Sequence, residues 1–395
     1  MKIVIALTSS SGQLSGVQRH AINLVRCLLT RQQITAVHLI AAPWQQQFVR
    51  DTAPCNDARL HLHTAPIRNN SLSRNAWYYS ELPRIASRLQ ADVVHLGYPT
   101  PLQKGAYHCP TVVTLHDLYP YDVPENFGFP KVLFNRLLLR RCLQMVDAIA
   151  CVSRSTLARL QCIEPRLALA KSVVIYNSVE PLPQVSAWSP LPLGNGEPFL
   201  LCVAQHRRNK NILFLLRIFE RLLRTGKLAP QTRLVIVGIP GPETNAILRF
   251  LAAANIADRV VLLNGISEEE LQWCYRNCEL LLAPSLMEGF GLPVAEALLA
   301  GCCVICSDIP PFRELGGDRC VYIPLNAMAE HAFAEAICAG IRERTCEPVA
   351  LPQLSAPVIA EQYLQLYRSL LYPASTFDTP LVRAAAGTPE GSRTI

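Results

Sequence analysis

Short apolar runs rich in Val, Ile and Leu alternate with longer amphipathic stretches along almost the whole chain. Strands buried on both faces read as unbroken apolar runs, and their alternation with helical patterns marks βαβ units in a parallel sheet. The first half predicts strands over Lys2–Leu7, Val37–Ala41, Val93–Leu96, Thr111–Leu115, Ala148–Val152 and Val173–Ile175. Helices are predicted between them, notably Val17–Leu29, Ser80–Leu89 and Lys131–Met145. The rhythm then breaks, and Pro181, Pro183, Pro190, Pro192, Gly194, Gly196 and Pro198 make an extended linker. A second series predicts strands at Phe199–Val203, Leu234–Val237, Val260–Leu263, Leu280–Ala283, Val304–Ser307 and Val321–Ile323. Over Val358–Leu371, apolar residues at 360, 363, 364, 367, 370 and 371 form a helical stripe that has to be buried.

The pattern predicts an α/β chain of two doubly wound, Rossmann-like domains, residues 1–182 and 183–355. Residues 356–371 form a final helix, and residues 372–395, rich in Pro, Thr, Ala and Gly, are expected to lack fixed structure. A ligand is expected between the domains, at the carboxyl ends of the strands.

A length of 395 residues, half of them hydrophobic and 17% charged, fills two cores rather than one. No apolar run approaches the ~18 residues of a membrane span. Met1–Leu7 is followed by the polar stretch Thr8–Ser15, so it predicts a first strand rather than a signal-peptide core. The 15 cysteines lie scattered in apolar runs such as Ile149-Ala150-Cys151-Val152, the pattern of buried thiols in a reducing cytoplasm. Cys302, Cys303 and Cys306 cluster most tightly; thiols packed in a helix-to-strand turn are preferred to a zinc site, because no second Cys/His pair stands nearby. Residues 1–180 hold 19 Lys and Arg against 10 Asp and Glu, and the remainder 18 against 20. This basic half is open to two readings, a surface for an anionic membrane or acidic partner, and a basic surface with no specific role. The basic amphipathic segment Lys131–Arg141 is likewise read either as resting on anionic lipid or, preferably, as packing its leucines on the sheet. Nucleic acid is not an expected partner.

Four segments carry candidate chemistry. Glu288-Gly289-Phe290-Gly291-Leu292-Pro293-Val294-Ala295-Glu296 follows a predicted strand and opens a helix, with Pro293 as its first residue. Gly289 and Gly291 let the backbone approach a ligand, and helix amides with the dipole behind them suit a diphosphate. Both carboxylates are expected to face one crevice, one toward sugar hydroxyls and the other toward a ribose diol. Ala204-Gln205-His206-Arg207-Arg208-Asn209-Lys210-Asn211 follows the first strand of the second domain, and its cations suit a leaving diphosphate without a metal. His116, in Leu115-His116-Asp117-Leu118, ends a strand and points into the cleft. Ser10 to His20, with Gly12 and Gly16, lacks both G-x-G-x-x-G and the P-loop signature, which excludes the dinucleotide and ATP fingerprints.

Glu288 to Glu296 resembles the E-x7-E element of the family-4 retaining glycosyltransferases, whose fold is GT-B, and the likeness runs from Met1 to about Leu371. The resemblance implies that Glu288 lies beside the transferred sugar, that Gly289, Phe290, Gly291 and Leu292 hold it and the donor phosphates through their amides, and that Glu296 binds the ribose. Ala204 to Asn211 is similar to the family's Gly-Arg…Lys phosphate clamp, which implies a catalytic role for Lys210 and for Arg207, with Arg208 in reserve. Ala204 and Gln205 depart from that pattern, and Gln205 is kept as a donor-binding residue. His116 resembles the family's cleft histidine, an orienting group, and Gly16 its glycine-loop glycine. Ser153 and Asn177-Ser178-Val179 are smaller matches, with Ser178 in place of a glycine.

The resemblance implies retaining transfer of a mannose- or glucose-like hexosyl unit from a GDP- or UDP-sugar to a glycan or lipid-linked acceptor in bacterial surface-polysaccharide assembly. It implies no cofactor or metal and a cytoplasmic protein, with peripheral contact at the inner membrane face one option. A nucleotide-sugar 2-epimerase and an inactive nucleotide-sugar-binding protein remain alternatives.

Overall fold

The computed structural model describes residues 1–10, 12, 15–180, 189–190, 197–342 and 346–373. Most of the predicted linker, most of the carboxyl-terminal tail, and Ser11, Gln13 and Leu14 of the glycine loop lie outside the described residues.

The first sheet contains β1 (Lys2–Ala6), β2 (Ala36–Ala41), β3 (Leu60–Thr64), β4 (Val93–Leu96), β5 (Thr111–Leu115), β6 (Ala148–Cys151) and β7 (Ser172–Val174). The second contains β8 (Phe199–Val203), β9 (Arg233–Val237), β10 (Val260–Leu263), β11 (Leu280–Ala283), β12 (Val304–Ser307) and β13 (Cys320–Ile323). Their orders are β3-β2-β1-β4-β5-β6-β7 and β10-β9-β8-β11-β12-β13. Pairings are parallel in both, for example Ile5 opposite Leu39 and Leu281 opposite Val304. Strand order reverses between β1 and β4 in one sheet and between β8 and β11 in the other. Loops leaving the carboxyl ends there diverge and open a crevice.

The helices that matter for the site are α1 (Gly16–Leu29), α2 (Lys131–Met145), α3 (Arg154–Ile163), α4 (Glu268–Asn277), α5 (Leu292–Ala300) and α6 (Ala356–Leu371). Helix α6 buries Ile359, Ala360, Tyr363, Leu364 and Tyr367 in the core that β1, β2 and α1 share, so the end of the chain packs on the first domain. Tyr367 OH lies 2.7 Å from His95 Nδ1, and His95 Nε2 lies 2.8 Å from Thr114 Oγ1. The same hydroxyl lies 3.1 Å from His20 Nε2, which ties α6, β4, β5 and α1 into one buried polar chain.

Several expectations are corrected. Strand β3 is absent from the sequence reading, because the histidines of Leu60-His61-Leu62-His63 mask a period-2 alternation of leucines packed on the core. The predicted helix Ser80–Leu89 is a π turn at Trp77–Glu81 followed by a helix over Leu82–Arg88. Helix α2 buries Leu139, Cys142 and Leu143, whereas Leu133, Phe134 and Leu137 stand more than half exposed instead of packing on the sheet. The cysteine cluster is divided among three partners. Cys303 forms a disulfide with Cys346 (Cα–Cα 5.4 Å), Cys302 lies 3.3 Å from Cys278 between sulfurs, and Cys306 shares a hydrogen bond with Cys320, both as free thiols. Cys303 is therefore not the packed thiol expected, and no group of three or more His, Cys, Asp or Glu among the described residues is placed to hold a metal. Among those residues, too, no helix is long and apolar enough to cross a membrane.

Candidate active site

The loops after β5, β8 and β11 and the start of α1 meet between the two domains. Lys210 ends a 3-10 turn, Arg208–Lys210, that the chain makes on leaving β8. Its Nζ donates to both oxygens of Glu288, at 2.6 and 2.7 Å, and Ser285 Oγ donates to the first of them at 2.7 Å. The Glu288 side chain is only 9% exposed, so its charge is withdrawn from water and met by the ammonium. Thus the two strongest predicted residues, 78 positions apart, share one ion pair.

At Gly289 the second domain touches the first. The Gly289 carbonyl accepts hydrogen bonds from Ser153 Oγ at 2.6 Å and Thr156 Oγ1 at 3.1 Å, and Ser153 caps the start of α3. A Cβ on Gly289 would lie 1.8 Å from the His116 carbonyl oxygen, an approach that no other residue permits. Gly291 caps α5 with a φ of 105°, so the helix begins at Leu292 and Pro293 is its second residue rather than its first. The Phe290 side chain is buried beside Tyr176, which leaves only its backbone for a ligand.

Arg207 and Arg208 are exposed, and the Gln205 carbonyl accepts the Arg207 amide at 2.7 Å. Burial pushes the Asp117 carboxyl up to about 6, while the Tyr119 amide and the charges of Arg207 and Lys210 oppose that rise. Asp117 and Tyr119 line a recess of about 180 Å³ with Asp122, Thr156, Glu288 and Gly289. Asp117 does not pair with its neighbour His116; it accepts the amide of Tyr119 at 3.1 Å. His116 follows β5 next to this recess but is not among its lining residues. Its Nε2 lies 2.9 Å from the Gly97 carbonyl, which only accepts, so Nε2 carries the proton and Nδ1 is the acceptor. Burial lowers its pKa to about 4, which keeps the ring neutral near pH 7, and it meets His20 edge-on at 4.9 Å.

Glu296 lies one turn into α5 and is 7% exposed. Arg19 Nη1 donates to Oε1 at 2.6 Å and Tyr275 OH to Oε2 at 2.8 Å. It lines a second recess of the cleft, with Arg19, Asn23 and Glu268, beside the one lined by Glu288. Gly16 begins α1, where a Cβ would meet only Leu292 Cδ1 at 3.9 Å; packing alone does not demand glycine there.

Sequence reasoning missed Arg19, Tyr119, Tyr275 and Ser285. Only Arg19 carried a signal, a cation near the start of a helix, where the macrodipole disfavours positive charge.

The profile described as Glycosyltransferase Family 4 matches residues 14–181, and that described as Glycosyl transferases group 1 matches residues 189–337. The chain belongs to glycosyltransferase family 4. The enzyme is 25% identical over 339 residues to the O-antigen chain mannosyltransferase B of Escherichia coli, covering 80% of this chain and 85% of that one. Over 130 residues, a third of each chain, it is 31% identical to the GDP-mannose:cellobiosyl-diphosphopolyprenol alpha-mannosyltransferase of Xanthomonas oryzae. Anabaena Alr3699/HepE, solved in complex with UDP and glucose, superposes with a TM-score of 0.66 at 16% identity, over 94% of this chain and all of that one. This enzyme is a retaining glycosyltransferase of GT-B fold.

Proposed function

We propose that this family-4 enzyme transfers a mannosyl unit, with retention, from GDP-mannose to a lipid-linked glycan in the assembly of a bacterial surface polysaccharide. The ion pair between Lys210 and Glu288 carries this reading, because it brings a fixed cation and a carboxylate to the start of a helix whose first amides lack intrahelical partners. Both mannosyltransferases named above support the choice of sugar, and the Xanthomonas enzyme supports GDP-mannose and a polyprenol-linked acceptor.

When donor enters, Lys210 and Arg207 meet the departing diphosphate as positive charge grows on the sugar ring, and the amides of Gly289 to Leu292 add donors that need no reorganisation. Glu288 holds sugar hydroxyls and Glu296 the ribose. His116, through Nδ1, accepts a hydrogen bond from a sugar hydroxyl. The acceptor oxygen attacks from the leaving-group face and gives up its proton to a phosphate oxygen, so no protein nucleophile is required and no divalent metal takes part. Helix α2 meets the membrane that holds the acceptor: Phe129, Leu133, Phe134 and Leu137 present apolar surface beside the exposed cations Lys131, Arg140 and Arg141, a combination that suits anionic lipid. Arg136 joins this helix to the cleft by donating to the Pro120 carbonyl at 2.7 Å and stacking on Tyr121.

Incubation with GDP-mannose and UDP-hexoses, with and without a polyprenyl-diphosphate glycan, tests the reading. Acceptor-dependent release of GDP with a mannosylated lipid supports it, whereas sugar released without acceptor, or no turnover with any donor, overturns it. Sedimentation with phosphatidylglycerol vesicles tests the α2 surface, and binding equal to that of Phe134→Glu/Leu137→Glu removes it.

A further inference from the structure

We infer that Arg19 and Tyr275 are positioning residues for the carboxylate of Glu296, and that Arg19 makes a well-oriented donor site conditional on domain closure. This rests on the proposed reading of Glu296 as the group that receives the ribose diol.

A carboxylate that receives two vicinal hydroxyls must present both oxygens in a fixed plane. Each Glu296 oxygen has one protein donor, Arg19 Nη1 at 2.6 Å on Oε1 and Tyr275 OH at 2.8 Å on Oε2. Each carboxylate oxygen accepts about two hydrogen bonds, so one acceptor direction remains on each, the number that a diol uses. The two donors therefore orient the carboxylate without exhausting it. Tyr275 is fully buried on α4, in the same domain as Glu296, and acts as a fixed support.

Arg19 differs because it belongs to the first domain. It stands one turn into α1, and Glu268 at the start of α4 lies 4.0 Å from its Nε. Arg26, two turns further along the same face, lies 3.5 Å from the second oxygen of Glu268. Burial disfavours the Arg19 charge, but Glu296 and Glu268 together outweigh that cost and hold its pKa above the ordinary value. Two cations of one domain thus grip two carboxylates of the other, on the flank of the cleft away from Lys210. Opening the cleft withdraws Arg19 and leaves Glu296 with Tyr275 alone.

The test is titration calorimetry of wild type, Arg19→Gln, Arg19→Lys, Tyr275→Phe and Glu296→Gln with GDP and UDP, repeated with the 2′,3′-dideoxy form of whichever nucleotide binds wild type. Arg19→Gln is expected to weaken binding about 10- to 30-fold and Tyr275→Phe about 3- to 10-fold, with Arg19→Lys in between. With the dideoxy nucleotide these losses are expected to shrink below about twofold, because the positioned carboxylate then has no diol to receive. A merely structural role predicts equal losses for both nucleotides, and that result overturns the inference. Unchanged or tighter binding by Arg19→Gln, in a protein that Glu296→Gln does weaken, makes Arg19 a bystander or a competitor and overturns it while sparing the function. Unchanged binding by Glu296→Gln removes the reading of Glu296, and the inference falls with it.

Discussion

The two walls of the cleft are built from different kinds of group. On the second-domain wall the residues are charged and paired, Lys210 with Glu288 and Glu296 with Arg19 reaching across. On the first-domain wall burial suppresses charge: the His116 ring is lowered to about 4 and the Asp117 carboxyl raised to about 6. A fixed cation suits a diphosphate that carries charge throughout the reaction, whereas carboxylates and neutral donors and acceptors suit hydroxyls. The division also differs in its supports. The loops after β8 and β11 hold the ionic wall, but the neutral wall is braced by the chain of hydrogen bonds that runs from His20 through Thr114 and His95 to Tyr367 on α6.

The largest effect is expected from removing that brace. A chain ended at Ser355 loses α6 with six buried side chains of the first-domain core, and should be insoluble or inactive. A soluble protein with full turnover would show that the neutral wall stands without it. On the ionic wall, Lys210→Ala should reduce kcat by about 10²- to 10³-fold, the scale of losing one preorganised donor to the transition state. If donor affinity falls as far as kcat/KM while kcat holds, Lys210 serves binding alone. Gly289→Ala probes the seam where the walls meet. Its Cβ would lie 1.8 Å from the His116 carbonyl, so the domains have to part, and kcat should fall while the isolated fold survives. Wild-type kinetics in that variant would mean that this close approach is not needed for turnover.

A smaller effect distinguishes the two carboxylates. Glu288→Ala should mainly lower kcat and Glu296→Ala should mainly raise the donor KM, and identical changes in both would erase the distinction between sugar and ribose ends. The smallest effect concerns Asp117. Because its carboxyl is raised to about 6 in the fold, folded and unfolded chains both hold the proton at pH 3. As pH rises from about 4 to 6 the unfolded chain releases it first, so this group's contribution to stability is lost across that window. Melting curves of wild type and Asp117→Asn from pH 4 to 7 should diverge in favour of the variant as pH rises, whereas parallel curves would remove the case for a carboxyl pushed up by burial.

Much of this arrangement was legible in the residues themselves. Apolar runs such as Leu280–Ala283 and Phe199–Val203 coincide with the strands formed, since a strand buried on both faces needs an unbroken run whatever its neighbours. The glycines and Pro293 around Glu288 announced a loop opening a helix, because local backbone preference is a property of the residue itself. Other features were decided only in three dimensions. Strand β3 carries histidines whose partner, His38 with His63 Nε2 at 3.0 Å from its Nδ1, comes from another strand. The exposed leucines of α2 look the same in sequence as buried ones, for a helical pattern states which residues share a face and not what that face meets. The neutral state of His116 and the raised carboxyl of Asp117 follow from desolvation, which depends on everything packed around them. Arg19 and Glu296 stand 277 positions apart, and no local pattern in either helix specifies the other. Sequence alone settled what each segment is able to form. The closing of one domain on the other decided which charges meet, because electrostatic pairing acts over a few ångströms of space and is blind to separation along the chain.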